Sequence, residues 1–170
     1  MPDPPSVVLA SLQTSGNTTA LYQTAGFQQR FNLTPDVPPI LLRSSVIHPY
    51  RYDQQYPSDD QFLDLLCQVL TRNEILFLTP VYFGNHSSLL QLFLERCCDL
   101  DEAPQAHLRA VLATKSIALV THAHTGLSGE RALRKPTEAF CAYFGIQHLS
   151  WTHYVLNRQG WTVDHDERCV

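Results

Sequence analysis

Three short segments of the chain, Ser6-Val-Val-Leu-Ala-Ser-Leu12, Glu74-Ile-Leu-Phe-Leu-Thr79 and Ser116-Ile-Ala-Leu-Val-Thr121, are apolar at successive positions rather than at every second one. A strand with one face in water alternates; one that does not alternate is covered on both faces. Helical patterns separate these runs. Asn17 to Arg30 places Leu21, Tyr22 and Ala25 on one face. Phe62, Leu65, Leu66, Val69 and Leu70 follow Ser58-Asp-Asp-Gln61, which has the form of a capping box. A further helix opens near Ser87 and buries Leu90, Phe93, Leu94 and Cys97, and another runs through Phe140 to a C-terminal cap at Gly145, with Pro136 starting or kinking it. Val37 to Leu42 contains two prolines and is predicted as a strand at a sheet edge; Gln147 to Leu156 supplies a fifth. Strand and helix in alternation mean an α/β protein, a parallel sheet between two layers of helices. The expectation is one domain over 1–170, with its core at about 6–156 and a polar, exposed extension over 157–170.

Of the 170 residues 44% are hydrophobic, which excludes a disordered chain, while only 12 are basic against 16 acidic, for a net charge of −4. Phosphate backbones are held by clustered Lys and Arg, and this chain has neither a cluster nor any basic residue before Arg30, so nucleic acid and anionic membranes are excluded as partners. No apolar stretch approaches the roughly 20 residues of a membrane helix. The opening segment lacks basic residues, and the five cysteines show no C-x-x-C spacing. Cytoplasmic location with reduced thiols is the expectation.

Parallel α/β sheets bind ligands at the carboxyl ends of their strands, so the loops after Leu12, Thr79 and Thr121 are the candidates. The first, Ser11-Leu-Gln-Thr-Ser-Gly-Asn-Thr18, joins strand to helix and is crowded with hydroxyls, amides and a glycine, a composition able to aim several donors at one anion. It has neither the lysine of a P-loop nor the three glycines of a dinucleotide fingerprint. Simple N-capping by Ser15 or Asn17 accounts for part of the same pattern.

In register, Ala10-Ser-Leu-Gln-Thr-Ser-Gly-Asn-Thr18 resembles the G-S-x-R-x-x-G-N-T loop of the flavodoxin-like FMN-binding oxidoreductases, which include NADPH-dependent FMN reductases and NAD(P)H:quinone reductases. Leu78-Thr-Pro-Val-Tyr-Phe-Gly-Asn-His-Ser87, followed by Gln91-Leu-Phe-Leu-Glu-Arg96, is similar to the family's T-P-V-Y segment and K-x-F-x-D-R helix. Ile47-His-Pro-Tyr-Arg-Tyr52 and Asp59-Asp-Gln-Phe62 resemble its P-Y-x-Y and D-D-x-F segments. The resemblance implies a flavodoxin-like three-layer sandwich with five parallel strands in the order 2-1-3-4-5. It implies FMN as cofactor, with Ser11, Gln13, Ser15, Asn17 and Thr18 around the phosphate and Thr79, Pro80, Val81, Tyr82 and Phe83 along the isoalloxazine ring. Thr121, His122, His124 and Gly126 would face the ring's far side, and Tyr50 and Tyr52 would shape the substrate pocket. Ala10 and Gln13 depart from the family's Gly and Arg, and the loss of that Arg removes a charge-assisted contact.

His122-Ala-His124 lacks a third ligand at metal-binding spacing, no G-x-S-x-G elbow is present, and the acidic pairs fall at helix ends, so neither a metal centre nor a serine nucleophile is expected. A flavin enzyme needs no protein nucleophile. The activity implied is hydride transfer from NAD(P)H, as co-substrate, to FMN and on to a quinone, flavin or similar small acceptor, in a homodimer. A flavodoxin-like electron carrier, and a family member that has lost FMN and serves as a binding module, are the rival expectations.

Overall fold

The computed structural model describes residues 3–34, 37–102, 104–124 and 131–167, with 131 and 132 as backbone only. The strands are β1 (Ser6–Leu9), β2 (Ile40–Leu41), β3 (Glu74–Tyr82), β4 (Asn85–His86), β5 (Ser116–Ala123), β6 (His148–Asn157) and β7 (Gly160–Glu167). The helices are α1 (Asn17–Tyr22), α2 (Ala25–Arg30), α3 (Phe62–Val69), α4 (Ser88–Arg96), α5 (Ala106–Ala113) and α6 (Arg131–Phe144), with 3-10 turns at Leu42–Ser44 and Cys97–Asp101.

The sheet runs β2-β1-β3-β5-β6-β7, with β4 paired to β3. Its first five members are parallel and in the expected order, and proline-flanked β2 is at the edge. The continuous apolar runs are explained by the two packed faces. Val8, Ile75, Phe77, Ile117 and Leu119 join a core with α3, α4 and α6, while Val7, Leu9, Leu76, Leu78 and Val120 pack on the other face around Leu21 and Phe27. Adjacent residues therefore enter different cores, as the pleat requires.

Three expectations are corrected. The sheet is not limited to five parallel strands, because residues 160–167 pair antiparallel with β6 instead of forming an extension. The Asn17–Arg30 helix is two helices: Thr24 is extended (φ −69°, ψ 137°), accepts the Phe27 N–H on its hydroxyl and donates that hydroxyl to Leu21 O, competing with the helical ladder. The capping box before α3 does not form, since Gln61 occupies the cap position and its Oε1 accepts instead from Val46 N. Of the two expected places for Pro136, the start of its helix or a position within it, the second is found. Among the described residues no helix is long and apolar enough to cross a membrane.

On the α3/α4 side, Arg96 at the end of α4 is 1% exposed and holds the loop over 45–61 against the core. It donates to Asp60 Oδ1 and Oδ2 at 2.7 and 3.1 Å, to Asp99 Oδ2 at 3.0 Å and to His48 O at 2.8 Å. Its guanidinium lies 3.6 Å from the Tyr56 ring centroid, and Tyr56 donates its hydroxyl to Asp99 Oδ1. Burial works against the Asp60 carboxylate, but Arg96 and the His48 N–H outweigh it and hold its pKa below the ordinary value.

Candidate cofactor site

The carboxyl ends of β1, β3 and β5 surround a cavity of about 320 Å³, within the usual range for small-molecule sites. One wall is the loop after β1, contributing Ser11, Gln13, Gly16, Asn17 and Thr18. The opposite wall is Pro80-Val81-Tyr82 at the end of β3, and His122-Ala123-His124 at the end of β5 closes it. Residues separated by more than a hundred positions meet here because parallel strands deliver their ends to one edge.

The loop after β1 is shaped by its own contacts. Gln13 N donates to Ser11 Oγ at 3.3 Å, and the Gln13 side chain folds onto Gly16, where a Cβ would lie 2.9 Å from Gln13 Oε1. Helix α1 has only six residues and Gly16 as its cap, with no side-chain cap bond, so neither Ser15 nor Asn17 is a capping residue. Their alternative reading is thereby removed. The main-chain N–H groups of Thr14 through Thr18 meet no acceptor among the described residues. Free amides, hydroxyls and a carboxamide in one concave loop are the donor set an anion such as a phosphate requires.

The histidines of the third loop clamp the first. His122 Nε2 lies 2.8 Å from Thr18 Oγ1, and His124 Nε2 accepts from Asn17 Nδ2 at 2.7 Å. Burial pushes the His122 pKa down to about 4, with His153 and His124 adding to the effect, so at neutral pH its ring is an uncharged hydrogen-bonding group. Trp161 of β7 stands edge-on to His122 at 5.3 Å, so the strand absent from the expected sheet supports the site from behind. No cluster of metal-ligating residues exists among the described residues.

Other expected site residues lie outside the cavity wall. Thr79 and Thr121 are fully buried: Thr79 donates its hydroxyl to Ser87 Oγ, which donates to Ala10 O, and Thr121 bonds His153 Nδ1 and Trp151 Nε1. Both hydroxyls are engaged within the protein, beneath the strand ends. Ser15 is exposed on the loop, and Phe83 projects fully into solvent at the mouth. Phe83 (φ 52°) and Gly84 (φ 76°) form the two-residue turn between β3 and β4, an uncommon backbone region for a bulky side chain. Tyr50 and Tyr52 do not reach the cavity; their rings pack edge to face at 5.3 Å, and Tyr52 is 95% exposed. Gly126 lies outside the described residues. Sequence reasoning missed Gly16 and Ala123 in the lining, Trp161 behind His122, and Arg43, whose Nη1 donates to Gln13 O at 2.6 Å. The alternation of Trp161, Val163 and His165 with polar residues was the available signal for β7.

The NADPH-dependent FMN reductase family model matches residues 6–159. The chain belongs to this family of FMN-dependent oxidoreductases. The fold is shared with the Trp repressor binding protein of Bacillus subtilis, at TM-score 0.65 and 17% identity over 90% of this chain and 84% of that one. It is also shared with FerB, a flavoenzyme NAD(P)H:(acceptor) oxidoreductase from Paracoccus denitrificans, at 0.60 and 14% over 86% and 72%. The FMN-dependent NADH-azoreductase of Bacillus anthracis, solved in complex with FMN, gives 0.61 and 11% over 89% and 86%. No curated protein matches the chain significantly by sequence.

Proposed function

We propose that this cavity binds FMN and that the protein is an NAD(P)H-dependent reductase of a small acceptor. The observation that carries the reading is the pairing of the two walls: a donor-rich loop with unused amides faces an apolar edge formed by Pro80, Val81 and the half-exposed Tyr82. A cofactor with a charged phosphate and a flat ring system matches both. Ser11, Gln13, Ser15, Asn17 and Thr18 would hold the phosphate; Pro80, Val81, Tyr82 and Phe83 would lie along the ring; His122 and His124, held by Thr18 and Asn17, would present their imidazoles at its far side. When bound, FMN supplies the redox chemistry, taking a hydride from NAD(P)H and giving electrons to a quinone, a free flavin or a similar acceptor. The open mouth beside Tyr82 and Phe83 admits nicotinamide and acceptor in turn. A homodimer in a reducing cytoplasm completes the reading.

The purified protein is expected to be yellow, or to become so with added FMN, and to bleach under anaerobic NADH or NADPH. A preparation that takes up no FMN overturns the reading. One that binds FMN but is bleached by neither nucleotide is an electron carrier instead. Size-exclusion chromatography with light scattering tests the dimer.

A further inference from the structure

The loop after β1 has no cation of its own, and the first basic residue in the sequence is Arg30. Parallel pairing of β1 with β2, Val8 opposite Ile40 and Leu9 opposite Leu41, carries the chain after β2 to the same sheet edge as the chain after β1. The 3-10 turn at Leu42–Ser44 is anchored there by Leu42, which is fully buried, and the next residue is Arg43. Its guanidinium donates through Nη1 to Gln13 O at 2.6 Å. Four other guanidiniums pair with acids: Arg30 with Asp166, Arg51 with Asp53, Arg96 with Asp60 and Arg109 with Asp101. Arg43 has no acidic partner among the described residues.

We propose that Arg43 is the positioning residue and counter-charge of the cofactor phosphate site, doing from a neighbouring strand what a basic residue at position 13 would do from within the loop. Two effects follow from one hydrogen bond. In a trans peptide the carbonyl and the next N–H point in opposite directions, so fixing Gln13 O on Arg43 turns Thr14 N–H away from it and sets the orientation of the first free amide in the loop. The same contact keeps an unneutralised guanidinium against a cavity-lining residue, where it attracts a phosphate dianion more strongly than a neutral ligand. The inference rests on the flavin reading and assigns to the site a preference for the phosphorylated flavin over the bare one.

The test is titration of the apoprotein with FMN and with riboflavin, which shares the ring but lacks the phosphate, for wild type, Arg43→Gln and Arg43→Lys. Arg43→Gln is expected to lose about tenfold in FMN affinity, the size of a charge-assisted contact, with riboflavin binding unchanged. Arg43→Lys, which keeps charge and donor, recovers most of the loss. Added salt weakens FMN binding to the wild type more than to Arg43→Gln. Equal weakening of FMN and riboflavin means that Arg43 only folds the loop and overturns the proposal, as does an unchanged FMN affinity in Arg43→Gln. A wild type that binds riboflavin and FMN equally also overturns it while leaving the flavin site intact. A wild type that binds neither removes the flavin reading and the proposal together.

Discussion

Two polar clusters sit on the molecule and are built to opposite rules. Around Arg96, two carboxylates, a carbonyl and a tyrosine surround one guanidinium, and their donors and acceptors are directed at one another. Around the cavity, the loop after β1 and the end of β5 contribute amides, hydroxyls and imidazoles that are only partly matched, and one side is open. A closed cluster fixes the chain; an open one keeps donors for something that arrives. Both are drawn from the same α/β frame, and the difference lies in where they fall: the first on a covered face of the sheet, the second at the strand ends, where no helix can cover it.

The largest expected effect separates them. Arg96→Met leaves Asp60 and Asp99 buried without their cation and is expected to cost about 3–5 kcal/mol in urea denaturation, while the folded fraction keeps its FMN affinity. Loss of FMN binding without loss of stability would break the comparison. Next is the response to acid. His122 is held at about 4 when folded but returns to about 6.5 when unfolded, so between these values the unfolded chain binds more protons. Its contribution is therefore complete above about pH 6.5 and is lost as pH falls towards 4, on the order of 3 kcal/mol. His122→Gln, compared with wild type by thermal melts across that window, should lose less stability on acidification; parallel curves would mean the ring is solvated.

Smaller effects sharpen the open side. Phe83→Asn relieves a positive φ in a turn that favours Asn, and is expected to add about 1 kcal/mol to stability, read as a rise of a few degrees in the melting midpoint. Turnover with NAD(P)H should fall at the same time, because the aromatic at the mouth is lost; unchanged turnover would leave the strained side chain without a role there. Asn17→Ala removes the bond to His124 and one donor, and is expected to weaken FMN by about fivefold while changing stability by less than about 0.5 kcal/mol.

The sheet was legible because residues such as Val7 and Val8, or Leu76 and Phe77, are apolar in pairs, and only a strand covered on both faces uses them so. The cavity wall was legible at Gln13, Asn17 and Thr18 from the loop's local composition, and at Pro80 to Tyr82 from the family resemblance. Contacts set by the register of distant strands were not. Arg43 stands in a polar stretch that reads as loop, and its place beside Gln13 follows only from the pairing of Leu9 with Leu41. The capping box at Ser58 failed for a related reason: Gln61 Oε1 accepts from Val46 N, fifteen positions away. Tyr50 and Tyr52 invite a ligand on chemistry alone, yet they stack on each other outside the cavity.

Trp161 stands behind His122, on a strand that pairs with β6 and follows every other element in the chain. During synthesis the loops around the cavity leave the ribosome well before this strand does. The wall that backs His122 is therefore made later than the loops it supports, and the cavity gains that backing only once residues 160–167 have added themselves to the sheet.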